Sequence, residues 1–207
     1  MIVKLDPAKG DPTRPDVSQS PDMAAGLAEV QRHTQKGPPP VHLWNPPYCG
    51  EMDMRIARDG TWYHEGGPIG RPAMVKLFSS ILKLEEGRYY LVTPVEKVGI
   101  QVEDAPLIAC DLDPSGTGRD QSLTFTTKTD DQVIAGPDHA IRITLDPQSG
   151  EPSPYIHIRR GLEARIDRKT FDRLVELGMQ EEVDATPWFG VWSAGVFFPL
   201  LPSADLT

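Results

Sequence analysis

Polar and apolar positions alternate over residues 53–57, where Met54 and Ile56 share one face, and this period of two predicts a strand. Asp59-Gly60 follows, a dipeptide suited to a hairpin turn, so 61–64 is read as the returning strand. Beyond the loop from Gly66 to Gly70 the period changes. Met74, Val75, Phe78, Ile81 and Leu82 recur at helical spacing, and Pro72 suits the first turn of a helix running to about Leu84. Glu85-Glu86-Gly87 is read as the end of that helix. Strands are then predicted over 89–93, 98–102 and 107–112.

The same series returns in shortened form about 100 residues later. Strands are predicted over 155–159 and 162–166, and Asp167 or Arg168 opens a helix with Phe171, Leu174, Val175 and Leu177 as apolar positions and Gly178 as its stop. Ahead of them, 123–127, 132–135 and 140–145 read as strands. A unit that recurs in this way points to duplication, and two related units commonly meet across a seam where a ligand can sit. The predicted class is α+β, with two related halves of mainly antiparallel sheet and one principal helix in each. The divisions are a tail with a short helix over 21–33 and a Pro-rich linker (1–40), a first half (41–113) and a second half (114–207). Residues 1–20, rich in Asp, Pro and Ser, are read as lacking fixed structure. The stretch 114–120 is read as a hinge, and the apolar C-terminal stretch 188–201 as at least one further strand against the second helix.

Composition narrows the function classes. The 207 residues carry a net charge of −9, which argues against non-specific nucleic-acid binding and against anionic membranes. The 21 prolines are about twice the average rate of roughly 5% and punctuate short elements. Cys49 and Cys110 lack the number and spacing of a disulfide scaffold or a metal finger, and no apolar run has the length of a signal peptide or a membrane span. The chain is therefore expected to be cytoplasmic.

Within this acidic chain, Arg159, Arg160, Arg165, Arg168, Lys169 and Arg173 crowd into one short stretch. Guanidinium groups grip phosphate with paired N–H donors and stack on aromatic rings, so Arg159, Arg165 and Arg168 with Tyr155 are candidates for holding an anion; ordinary ion pairing is the competing explanation. Gly66 to Arg71 enters a helix whose start could cradle an anion with Arg71, although no phosphate-loop or dinucleotide fingerprint is present. Trp62 either fills the core or stacks on a ligand. Glu96 and Glu103-Asp104 lack the spacing of an acid/base pair, the histidines lack metal-ligand spacing, and no nucleophile motif occurs, so neither catalytic nor metal-binding residues nor a cofactor is assigned.

The blocks RIARDGTWYHEGGPIGRP, LFSSIL, YYLVTPVEK, VEDAP and PYIHIRRGLEARIDR, in this order over about residues 41–198, resemble a bacterial family known as domain of unknown function 1285. The resemblance implies a duplicated α+β core whose C-terminal half is superficially like pleckstrin-homology domains. It also implies a pocket at the junction of the halves for a nucleotide-like ligand, and a role in signalling. Its recurring blocks fall here on Asp59, Gly60, Trp62, Ile69, Arg71, Thr93, Glu96, Lys97, Glu103, Asp104, Tyr155, Arg159 and Arg165. The expected ligand contacts are Asp59, Trp62, Arg71, Thr93, Glu96, Tyr155, Arg159, Arg165 and Arg168. The leading expectation is a binding or signalling protein for a small anionic ligand. The alternatives are an adaptor for another protein and a hydrolase or transferase acting on a phosphorylated compound.

Overall fold

The computed structural model describes residues 26–30, 38–147 and 149–205. Positions 26–30 are helical (α1) and a 3-10 turn spans Val41–Leu43. Strands β1 (Tyr48–Ile56), β2 (Trp62–His64) and β3 (Gly67–Pro68) lead into helix α2 (Pro72–Ser80). Then come β4 (Leu82–Glu85), β5 (Arg88–Val92), β6 (Lys97–Val102) and β7 (Leu107–Ser115). A 3-10 turn over Gly118–Asp120 precedes β8 (Ser122–Thr127), β9 (Gln132–Ile134), β10 (Ile141–Leu145), β11 (Pro152–Arg159) and β12 (Leu162–Ile166). Helix α3 (Arg168–Glu176) and strands β13 (Met179–Val183), β14 (Thr186–Ser193) and β15 (Val196–Pro202) complete the series.

Three sheets result, with strand orders β3-β2-β1-β6-β5-β4, β10-β11-β12-β7-β8-β9 and β13-β14-β15. The fold is α+β. Its two halves are related: each carries a hairpin of a long and a shorter strand, β1–β2 or β11–β12, that leads, in the first half by way of β3, into one principal helix, α2 or α3. Most neighbouring strands are antiparallel, but β7 runs parallel to β12, with Arg165 beside Ile108 and Ile166 beside Ala109. Strands β1 and β6 also run the same way, Lys97 N–H donating to Pro47 C=O at 3.0 Å and Glu103 N–H to Ile56 C=O at 3.0 Å.

Two-residue hairpins recur with one backbone geometry. Glu65-Gly66, Glu86-Gly87, Arg160-Gly161, Asp184-Ala185 and Ala194-Gly195 all place both central residues at positive φ, between 47° and 78°. This primed turn matches the right-handed twist of its flanking strands. Glycine reaches that region without strain; Ala185 does so against the clash of its β-carbon with the backbone.

The chain divides into two compact units, residues up to Met54 with Ile81–Ile100, and Arg55–Ser80 with Gln101–Thr207. In the first, Val30, Val41, Met52, Met54, Ile81, Leu91, Val92 and Val98 are buried. Gly26 lets α1 approach Thr93, since a β-carbon there would fall 2.6 Å from Oγ1. In the second, Ile56, Leu112, Leu123, Phe125, Ile156, Leu162, Ile166 and Leu174 are buried. Trp62 stacks on Phe78 at 6.2 Å between ring centroids, and Gly178 lets the end of α3 pass under Phe189, whose ring would meet a β-carbon at 2.1 Å.

The elements differ from the sequence reading at the first long helix, at the predicted hinge and at the short strands β3 and β13, which it did not contain. The first long helix ends at Ser80, not near Leu84. Leu82 and Leu84 alternate with Lys83 and Glu85, and this period-two run pairs with β5 through the Glu86-Gly87 hairpin. The predicted hinge is occupied by the end of β7 and by the 3-10 turn. The C-terminal stretch forms a three-stranded sheet, because Asp184-Ala185 and Ala194-Gly195 turn the chain back twice. The tail reading for 1–20 and most of the predicted helix 21–33 lie outside the described residues.

Candidate binding cavity

Two turns with the same hydrogen-bond pattern build one wall of a cavity in the second unit. In the first, Ala57 N–H donates to Thr61 C=O at 2.9 Å and Gly60 N–H donates to Ala57 C=O at 2.9 Å. In the second, Thr127 N–H donates to Asp131 C=O at 2.9 Å and Asp130 N–H donates to Thr127 C=O at 3.0 Å. The fourth residue of each is left-handed, Gly60 at φ +83° and Asp130 at φ +66°. These equivalent turns place Arg58 and Lys128 at the same position. They are also joined, since Lys128 Nζ donates to Asp59 C=O at 3.1 Å.

The opposite wall is the passage from β12 into α3. Asp167 caps the helix by accepting Thr170 N–H at 2.8 Å, which leaves Arg168, Phe171 and Asp172 on one helical face. Arg58, Asp59, Ile108, Lys128, Glu151, Pro152, Pro154, Arg165, Ile166, Asp167, Arg168, Phe171 and Asp172 enclose a half-open space of about 670 Å³. Apolar surface comes from Ile108, Ile166, Phe171 and the two prolines, with charged groups around it.

The charges are organised by their partners. Asp104, just outside the lining, accepts Tyr155 O–H at 2.7 Å and an Arg165 N–H at 3.2 Å, and its carboxylate lies 3.6 Å from Arg58 Nε. Arg142 pairs with Glu163 and lies over the Tyr155 ring, 4.2 Å from its centroid. Burial, followed by the Asp104 carboxylate, pushes the Tyr155 hydroxyl above its ordinary pKa, so it stays a donor. The Thr61 backbone N–H holds the Asp59 carboxyl below the usual range, so Asp59 stays ionised. Among the described residues, no carboxylate or carbonyl partners the Arg168 guanidinium, which is exposed at the cavity.

Of the residues expected to contact a ligand, Asp59, Arg165 and Arg168 line this cavity. The others lie elsewhere. Trp62 is 3% exposed and belongs to the core with Phe78. Tyr155 is 7% exposed and reaches the region only through Asp104. Arg159 is bound to Asp131 and donates to Ser79 C=O at 2.8 Å. Arg71 is exposed where the chain enters α2. Thr93 and Glu96 are buried in the first unit, where Thr93 Oγ1 accepts Glu96 N–H at 3.2 Å and organises the turn between β5 and β6. Arg58, Lys128, Phe171 and Asp172 were not singled out from the sequence as ligand contacts. The i, i+3, i+4 spacing of Arg168, Phe171 and Asp172 was the signal available for the helical part.

No curated protein matches the chain. A DUF1285 family protein from Silicibacter pomeroyi DSS-3 is 58% identical, with 87% of this chain and 97% of that one covered and a TM-score of 0.79. A DUF1285 family protein from Shewanella baltica OS155 is 29% identical over 60% of this chain and 91% of its own, with a TM-score of 0.49. The N-terminal domain described as domain of unknown function (DUF1285) matches residues 39–105, and the DUF1285 C-terminal domain matches residues 106–200. Both domains follow one another over most of the sequence, and the chain belongs to the DUF1285 family.

Proposed function

We propose that this protein is a non-catalytic binding protein that holds a small anionic, nucleotide-like ligand in the cavity between the two turns and α3, and that it acts in signalling in the cytoplasm. The observation that carries the reading is Arg168, a guanidinium facing the cavity without a partner among the described residues. Lys128, Arg58 and Arg165 stand around the same space, whose volume suits a small organic ligand. Ile108, Phe171 and the prolines offer an apolar face to the body of such a molecule. The lining residues come from both sides of position 113, in keeping with a site shared by the two sequence halves.

The acid/base alternative has less support. Glu96 is buried in the first unit, and Asp104 is engaged by Tyr155 and Arg165. For the cytoplasmic assignment, Cys49 and Cys110 are free thiols, and no described helix is long and apolar enough to cross a membrane.

Thermal-shift measurements with nucleotides test the reading on wild type and on Arg168→Ala. A ligand at a hundred times its Kd stabilises the folded state by about 2.7 kcal/mol, a rise of several degrees in Tm. That rise is expected in wild type and is expected to shrink or vanish in Arg168→Ala. If no phosphate compound shifts either protein, the proposal fails.

A further inference from the structure

We infer that the cavity is built for a ligand bearing one phosphate group and discriminates against di- and triphosphates, with Asp172 as a specificity-determining residue; this rests on the binding reading above. The lining holds four cations, Arg58, Lys128, Arg165 and Arg168, and four carboxylates, Asp59, Glu151, Asp167 and Asp172. Its formal charge is balanced before any ligand enters.

The cations are not equally available. Arg58 and Arg165 share the Asp104 carboxylate, and Lys128 is held at the Asp59 carbonyl. Arg168 is left to meet an anion. The carboxylates divide in the same way. Asp167 is committed to its helix cap and Asp59 to its own turn. Glu151 and Asp172 have no side-chain partner among the described residues, and of the two it is Asp172 that lies four positions after Arg168, on the same face of α3.

A first phosphate group at Arg168 is therefore well placed, in a cavity that Lys128 and Arg165 also line. Every further phosphate adds negative charge to a space whose remaining cations are already paired and whose carboxylates without a partner among the described residues are Glu151 and Asp172. Like charges in a partly enclosed, partly apolar space repel more strongly than in open water. Asp172 also leaves an acceptor where a hydroxyl or amino group of the ligand can donate.

Calorimetric titration of AMP, ADP and ATP into the full chain, without magnesium and at constant ionic strength, tests the inference because the three share one body. AMP is expected to bind at least about tenfold more tightly than ATP, with ADP between them. Asp172→Asn is expected to narrow that ratio by raising ATP affinity. Asp172 is exposed, so the variant should keep the wild-type melting profile, and Glu151→Gln provides a second charge-removing variant at the same cavity. ATP binding as tightly as AMP, or an AMP-to-ATP ratio unchanged in both variants, overturns the selectivity while leaving the binding reading intact. Absence of binding by all three nucleotides removes the binding reading and the selectivity with it.

Discussion

Gly60 lies directly against Ile108: a β-carbon at position 60 would stand 2.4 Å from Ile108 Cγ1. The turn that carries Arg58 and Asp59 can descend onto β7 only because that carbon is missing. Gly60→Ala is expected to destabilise the protein by about 2–4 kcal/mol, combining left-handed backbone strain with overpacking. Ile108→Val in the same chain removes only Cδ1, 3.4 Å from that position, and keeps Cγ1, the atom in closest contact, so it should recover little. Urea denaturation of the single and double variants gives the comparison.

Asp104 joins Tyr155, Arg165 and Arg58. Asp104→Ala strands a buried hydroxyl and uncouples a half-buried guanidinium, and should lower stability by about 2 kcal/mol or more. Tyr155→Phe removes one hydrogen bond and should cost about 1 kcal/mol. The double variant should show less than the sum of the two losses. Strict additivity in the denaturation midpoints would show that the two groups do not act together.

The response to pH has a different origin at each end. Lys83, then Lys97, holds the Glu85 carboxyl below its ordinary range. A carboxyl with a lowered folded pKa stabilises above its unfolded value, and this contribution disappears as pH falls through the folded value. Wild type should therefore lose stability below about pH 4.5, and Glu85→Gln should lose less over the same interval. Tyr155 runs in the opposite direction. Its folded pKa is raised, so its contribution is complete below about pH 10 and is lost as pH rises through the higher folded value. Tyr155→Phe should lack this alkaline component in a melting series.

Ala185 occupies a left-handed position in the hairpin between β13 and β14, at φ +59°. Replacing it with glycine yields the Asp-Gly pair that this turn prefers. Relief of strain outweighs the added freedom of the unfolded chain, and Ala185→Gly should stabilise by about 0.5 kcal/mol. A lowered Tm would contradict this.

Much of the fold was legible where signals were local. Asp59-Gly60 marked its hairpin, Asp167 marked the start of α3, and alternation placed β8, β11 and β12 to within a few residues. The Glu86-Gly87 and Ala194-Gly195 hairpins were obscure because their first residues are not the usual ones of a primed turn, and Asp184-Ala185 because its second residue is not glycine. Leu82 also fitted the preceding helical row, which hid the change of period. At the cavity, Asp59, Arg165 and Arg168 were legible as charge beside turns. Arg159 was not separable from them, because its partner Asp131 is brought to it from a distant turn. Lys128 was hidden for a related reason: its role depends on a turn equivalence visible only in three dimensions.

The side-by-side alignment of β7 with β12 also sets an order of events during synthesis. Ile108 leaves the ribosome long before Arg165 and Ile166, so the base of the chamber waits for a late segment to arrive. The intervening hairpins can zip locally, whereas this long-range closure is slow and comes near the end. A nascent chain halted before β12 carries Arg58 and Lys128 without Arg165, Ile166 or Arg168, so the chamber is complete only once β12 and α3 have been made.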